Sequence, residues 1–246
     1  MRAARFFIDA PLVSESQIEL PSRVAHHATR VLRLRDGDPA VLFNGSGGEV
    51  AATLSFNGKR AFAALKAFAA IERESPWSIT LVQAWIANDK LDWVIEKSVE
   101  LGVQSIVLTP AQRSVVRPAG DRLEKKLERL REVIIAACVQ CGRNRVPAIE
   151  ASSDLAAALQ AGLSDGATGM LLHPNAEVPL TKARLTDHRA ALAIGPEGGF
   201  DDGELALALQ LGYHAFSLGP RILRTETAGL AALATLQAVG GDFASG

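Results

Sequence analysis

Leu218-Gly219-Pro220-Arg221-Ile222-Leu223-Arg224-Thr225-Glu226-Thr227-Ala228 joins a strand-like run, His214 to Leu218, to a helical pattern from about Glu226 to Val239. The same grammar occurs just upstream, where Ala190 to Ile194 runs into Gly195-Pro196-Glu197-Gly198-Gly199-Phe200 and then into a helical pattern over Asp201 to Leu211. A third strand candidate, Gly169 to Leu172, ends in Leu172-His173-Pro174. Strands that alternate with helices build a parallel sheet with helices on its faces, and ligands of such sheets sit outside the carboxyl ends of the strands. One Gly/Pro loop merely turns the chain, but three at successive strand ends form a candidate site, because glycine lets the backbone approach a ligand and offer its N–H and C=O groups. None of the loops has the spacing of a phosphate-binding G-x-x-x-x-G-K-[ST] loop or of the dinucleotide fingerprint.

Moving outward, the strand and helix rhythm begins after residue 73. Ile79 to Trp85 and Ser105 to Leu108 read as strands, Lys90 to Leu101 as a helix with apolar Leu91, Val94, Ile95 and Leu101, and Asp121 to Cys141 as a long helix. Before residue 73 the pattern differs. Arg5 to Ile8, Ala40 to Phe43, Glu49 to Ser55 and Ala61 to Ile71 are strand-like, separated by Asp36-Gly37, Asn44-Gly45 and Asn57-Gly58 turns. One helix, from an N-cap at Ser22 to Leu34, interrupts them. The reading is therefore a small β-rich domain over 1–72 and an α/β domain over 73–246.

Composition narrows the function classes. Lys and Arg number 26 against 27 Asp and Glu, so the net charge is -1 and a nucleic-acid surface has to be a local patch. The first 72 residues hold nine basic and seven acidic residues, the rest seventeen and twenty. No apolar run reaches the roughly 20 residues of a membrane span, and Asp9 and Pro11 break any signal-peptide core at the start. A cytoplasmic protein with two reduced cysteines is expected.

The candidate residues each have a plain alternative. Cys138 and Cys141 form a C-x-x-C, but no second pair completes a zinc site, and Leu123, Leu127, Leu130, Ile134, Ala137 and Cys141 make one apolar stripe that puts Cys141 in the core. In the first helix Arg23, His26 or His27, Arg30 and Arg33 recur at helical spacing, either a solvated face or, with Arg2, Arg5 and Arg35, a phosphate-binding one. Arg113, Arg117, Arg143 and Arg145 are ordinary surface arginines singly and an extended RNA surface if they converge. His173 is either a base or a packed residue, and Glu226 either a proton acceptor or a carboxylate favoured by the first turn of a helix.

The Ala193 to Phe200 and Leu218 to Ala228 phrases resemble the signature loops of the SPOUT class of methyltransferases. Glu96-Lys97-Ser98-Val99-Glu100-Leu101-Gly102-Val103, Gln112-Arg113-Ser114, Gln140-Cys141-Gly142-Arg143-Asn144-Arg145-Val146-Pro147 and His27-Ala28-Thr29-Arg30-Val31-Leu32-Arg33 narrow the resemblance to the family that methylates N3 of a uridine near the 3′ end of 16S ribosomal RNA. It departs from that family's usual pattern at Gln112 and Val139, where acidic residues are common. The resemblance implies a trefoil-knotted parallel-sheet domain, a PUA-like N-terminal barrel that grips RNA, a homodimer, the small ribosomal subunit as partner, no membrane and no metal. It also implies S-adenosylmethionine as cofactor, cradled by Leu172, His173, Pro174, Gly195, Pro196, Glu197, Gly198, Gly199, Leu218, Gly219, Ile222, Leu223, Arg224, Thr227 and Ala228.

Uracil N3–H is about as weak an acid as a tyrosine phenol, with a pKa of roughly 10, so the site has to stabilise the ionised base or remove the proton in step with methyl transfer. Arg224 is the expected stabiliser and Glu226 the expected proton acceptor, while Arg5, Arg23, His27, Arg30, Arg33, Arg113, Arg143 and Arg145 are the expected RNA contacts. Two alternatives stay open: a ribose 2′-O methyltransferase of the same fold, and a non-catalytic RNA-binding assembly factor.

Overall fold

Alternating burial in the N-terminal strands sets the first sheet. The structure, a computed structural model, describes residues 3–183 and 187–244, which leaves Arg2 outside. β1 (Ala4–Phe7), β2 (Gln17–Glu19), β3 (Pro39–Phe43), β4 (Glu49–Asn57) and β5 (Arg60–Ala69) form a five-stranded sheet in the order β1-β3-β4-β5-β2. Only the β1 and β3 pair is parallel. Val50, Ala52 and Leu54 on β4 and Ala61, Ala63 and Leu65 on β5 point inward at the period of two that a half-buried sheet requires. Gly58, at φ +61°, closes the β4–β5 hairpin at Asn57-Gly58.

The helix of this unit differs from the expected Ser22 to Leu34. α1 (Ser22–His26) follows Pro21, which takes the N-cap position without a side-chain bond, and the chain then widens into a π-helical turn, His27–Val31. The Leu32 amide reaches the His27 carbonyl at 3.0 Å, and Arg33 at φ 56° ends the helix three residues after Arg30.

The chain divides into two compact units, 1–74 with 138–146, and 75–137 with 147–246. The sequence pattern places 138–146 in the second part, and the hydrogen bonds explain the difference. Asn144 Nδ2 donates to Glu49 Oε2 at 3.1 Å and to the Ile71 carbonyl at 2.6 Å, Arg5 donates to Asn144 Oδ1 at 2.8 Å, and the amides of Gly47 and Val146 bond Asn144 and Gly45 carbonyls.

The second unit is the parallel sheet. β6 (Ser78–Ala84), β7 (Ser105–Thr109), β8 (Ala148–Ala151), β9 (Thr168–Leu172), β10 (Arg189–Ile194) and β11 (His214–Phe216) lie in the order β11-β9-β10-β6-β7-β8, all parallel. Its helices are α2 (Asn88–Glu100), α3 (Asp121–Cys141) as far as Ala137, α4 (Leu155–Gly162), α5 (Asp202–Gln210) and α6 (Thr225–Gly240). β10 is buried from Ala190 to Ile194, as a strand covered on both faces must be. Ala191 and Ala193 pack with Leu159 of α4 and Ala208 of α5, whereas Ile194, Leu81 and Gln83 face Gly229 of α6. β2, β8 and α4 are not anticipated from the pattern: the two strands have three and four residues, too few to show a period.

The connection from β9 to β10 runs outside β11. Ser217 donates to the Val178 carbonyl and accepts from the Leu180 amide, both at 2.9 Å, so β11 is flanked by β9 on one side and by this connection on the other. The chain leaving β11 therefore runs between the end of β9 and residues 178–180 of that connection. Among the described residues, no helix is long and apolar enough to cross a membrane.

Candidate active site

β9, β10 and β11 end at Leu172, Ile194 and Phe216, and their adjacency in the sheet brings the three Gly/Pro loops together. Between them lies a cleft of about 320 Å³, a size at the lower end of small-molecule sites, which run from roughly 300 to 1,000 Å³. Leu172, His173, Pro174, Gly195, Pro196, Glu197, Gly198, Gly199, Leu218, Gly219, Ile222, Leu223 and Ala228 line it, all of them expected from sequence. Arg224 and Thr227 do not. Arg224 is the exposed N-cap of α6, its carbonyl accepting from the amides of Thr227 and Ala228 at 2.9 and 2.8 Å, and Thr227 in the first turn is exposed as well.

Six further residues on the lining lie beyond the expected cofactor set: Ile194, Phe200, Phe216, Arg221 and Thr225, together with Arg113, one of the expected RNA contacts. The first five sit in or beside the quoted loops and could have been taken with them. Arg113 comes from the loop after β7, and no spacing in the sequence signals its arrival.

The glycines have distinct tasks. Gly199 at φ +70° and Gly219 at φ +77° hold left-handed backbone, and a Cβ on either would meet no protein atom within 4 Å, so their bare edges face open space. Gly198 is different. A Cβ there would lie 3.1 Å from Cβ and 3.2 Å from Cδ of Arg113, whose Nη1 donates to the Gly198 carbonyl at 2.9 Å.

Polar pins, buried at Gln83 and Thr225 and exposed at Glu197, hold the loops. Thr225 Oγ1 donates to the Gly195 carbonyl at 2.6 Å, and the fully buried Gln83 donates through Nε2 to the Ala84 carbonyl at 3.0 Å and to Thr225 Oγ1 at 3.4 Å. Asp201 caps α5 in a capping box with Glu204, whose second oxygen, Oε1, accepts from the Gln112 amide at 2.6 Å. Glu197 Oε1 accepts from the Ala87 amide at 3.2 Å, and Lys90 Nζ lies 3.7 Å from Glu197 and 3.8 Å from Glu226. Glu226 is absent from the cleft lining, and among the described residues its Oε2 is buried without a hydrogen-bond partner. His173 keeps a structural bond, its Nδ1 accepting from the Asn175 amide at 3.3 Å.

The arginines expected on an RNA surface separate into three kinds. Arg23, His27, Arg30 and Arg33 of the first unit are exposed around α1 and its π turn. Arg5 and Arg143 are not surface groups. The Arg5 side chain is 7% exposed and pairs with Glu49 at 2.7 Å, and the Arg143 side chain, 5% exposed, pairs with Glu74. Each carboxylate neutralises a guanidinium that burial would otherwise penalise, so neither charge is presented to a phosphate. Arg145 is exposed and pairs with Glu72 at 3.2 Å, and Arg113 is in the cleft. Burial pushes the Glu49 carboxyl up, but hydrogen bonds from Arg5, Arg73 and Asn144 outweigh it and hold it below its ordinary value.

Cys138, not Cys141, takes the core position at the end of α3; burial pushes its thiol up to about 12, and Cys141 is half-buried. Among the described residues no cluster of three His, Cys, Asp or Glu could hold a metal.

Comparison with known proteins assigns the family. Residues 73–237 match the RNA methyltransferase domain and residues 20–66 the RNA methyltransferase PUA domain. A ribosomal RNA small subunit methyltransferase E from Buchnera aphidicola is 30% identical over 97% of this chain and 94% of its own length. This chain belongs to the ribosomal RNA small subunit methyltransferase E family. A solved member from Neisseria gonorrhoeae, bound to S-adenosyl methionine, is 36% identical with a TM-score of 0.92 over 98% of this chain and 100% of that one. A Legionella pneumophila methyltransferase structure, in complex with the bound cofactor SAM, is 34% identical with a TM-score of 0.89 over 98% and 100% of the two chains. The family's two parts, the PUA domain and the parallel-sheet methyltransferase domain, are both present.

Proposed function

We propose that this chain methylates N3 of a uridine in 16S ribosomal RNA of the small ribosomal subunit, with S-adenosylmethionine bound in the cleft at the ends of β9, β10 and β11. The observation that carries the reading is the cleft itself: open glycine edges at Gly199 and Gly219 beside an apolar lining of Leu172, Ile194, Phe216, Leu218 and Leu223. That combination fits an adenosine, a flat apolar ring whose polar edge needs backbone donors and acceptors. Solved relatives that span both units carry this cofactor.

When bound, S-adenosylmethionine supplies a methyl group on a sulfonium sulfur, and the C–S electron pair stays on sulfur as a neutral thioether when N3 takes the methyl. The chain's own residues do the rest. The pins from Thr225, Glu204 and Glu197 tie the Gly195 to Phe200 loop and its helix to their neighbours, and the His173 amide bonds the Phe216 carbonyl, so that much of the rate comes from positioning. The base gives its N3 proton to solvent, and a guanidinium at the cleft disperses the charge left on O2 and O4. The exposed basic residues Arg23, His27, Arg30 and Arg33 hold phosphates and orient the RNA. The 1–72 and 73–246 division of labour is RNA grip and chemistry, with the Arg143 segment bracing the first part. The protein acts as a homodimer on the small subunit in the cytoplasm. Isothermal titration with S-adenosylmethionine tests the reading: one site per chain is expected, and no binding by the folded protein would leave an RNA-binding assembly factor in its place.

A further inference from the structure

Of Arg113, Arg221 and Arg224, only Arg113 is both on the cleft lining and anchored. Arg224 is exposed and off the lining; Arg221 is on the lining but, among the described residues, its side chain makes no hydrogen bond. Arg113 lines the cleft and spends one N–H of Nη1 on the Gly198 carbonyl at 2.9 Å, and it has no other hydrogen bond among the described residues. A guanidinium has five N–H donors in a rigid plane, so four remain.

The loop that carries it is itself fixed. Arg117 Nη2 donates to the Ala111 and Gln112 carbonyls at 2.7 and 2.8 Å, Ser114 Oγ accepts from the Ala111 amide at 3.2 Å, and the Gln112 amide is held by Glu204. The methylene stem of Arg113 rests on Gly198, in the space a Cβ would fill. Loop, stem and one donor are thus all immobilised before any ligand arrives, which is the condition under which a hydrogen-bond donor stabilises developing charge without a reorganisation cost.

We infer that Arg113 is the catalytic guanidinium, its free donors aimed at the uracil oxygens that gain charge as N3 loses its proton, with Gly198 as its anchor. The inference rests on the N3-methylation reading above. In the reaction the N3–H proton goes to solvent, the N3 electron pair forms the new N–C bond, and the bond broken is the methyl–sulfur bond. Arg113 gives up no proton and takes none.

The test uses full-length protein and small subunits from cells lacking this gene. Arg113→Ala is expected to lower the single-turnover rate about a hundredfold or more while S-adenosylmethionine affinity, read by calorimetry, changes less than about threefold, the scale on which removing one exposed side chain acts. The rate deficit should shrink as pH rises, because solution then supplies more ionised base. A binding measurement without turnover uses S-adenosylhomocysteine in the cleft: subunit affinity of the parent should tighten by about tenfold from about pH 7 to pH 9, and that of Arg113→Ala should not move. Arg113→Lys keeps the charge but not the fork and should recover the rate only in part. A rate loss that follows cofactor affinity, or a deficit flat in pH, makes Arg113 a brace for Gly198 and overturns the inference. If the parent neither binds the cofactor nor yields 3-methyluridine, the underlying reading fails instead.

Discussion

Thr225→Val removes one hydroxyl and keeps the shape, so it measures the pin beneath the cleft. Thr225 is 7% exposed at the start of α6, its Oγ1 donates to the Gly195 carbonyl at 2.6 Å, and Gln83 Nε2 reaches that oxygen at 3.4 Å while also bonding Ala84. Valine retains the β-branch and nearly the volume, so no cavity opens. The Gly195 carbonyl then loses its donor in a part-buried position, a loss of about 1 to 3 kcal/mol. Because Gly195 begins the loop whose Pro196, Glu197, Gly198 and Gly199 line the cleft, part of that energy appears as weaker cofactor binding. A share of about 1.4 kcal/mol corresponds to a tenfold rise in Kd. Calorimetry with S-adenosylmethionine, beside denaturant unfolding, reads both quantities, and Thr225→Ser, which keeps the hydroxyl, should restore them. A valine variant with the parent's stability and affinity would show that the pin is not what shapes the loop.

Glu49→Gln should loosen the first unit by about 3 kcal/mol, because it leaves the nearly buried Arg5 without its counter-charge; hydrogen exchange at the Gly47 and Val146 amides reports it. Since the folded-state pKa of Glu49 is lowered from 4.5, its contribution is present above that value and lost as pH falls through the lower folded one, and the glutamine variant should show less acid sensitivity there. Arg30→Ala with Arg33→Ala should weaken binding to small subunits and flatten its salt dependence, by a slope of about 0.7 to 0.9 for each phosphate no longer neutralised, with cofactor affinity unchanged. In the native protein a thiol reagent at mildly alkaline pH should label Cys141 and spare Cys138, whose thiol is buried and held protonated up to about 12; labelling of both without unfolding would contradict the packing at the end of α3.

The parallel sheet and its cleft were legible because the signals are local. Leu172-His173-Pro174, Gly195 to Phe200 and Leu218 to Ala228 each announce a strand end within a few residues, and adjacency in the sheet then makes one site of them. The chemistry of individual arginines was not legible, because it is decided by partners far along the chain. Arg5 meets Glu49 across 44 residues and Arg143 meets Glu74 across 69, so two residues that read as surface charge are interior. Arg113 reaches Gly198 across 85 residues. Arg224, inside the most informative loop, is exposed and off the cleft lining, at the N-cap of the helix that starts one residue later. The return of 138–146 to the first unit depends likewise on Asn144, whose amide partners, Glu49 and Ile71, no periodicity connects to it.

The central claim is tested most directly by nucleoside mass spectrometry of 16S ribosomal RNA from cells with the gene, cells without it, and cells carrying Gly219→Val in the cleft. One 3-methyluridine per 16S molecule should be present in the first and absent in the other two, with every 2′-O-methylated nucleoside unchanged. Loss of a ribose methyl instead, or 3-methyluridine that persists without the gene, would contradict the account.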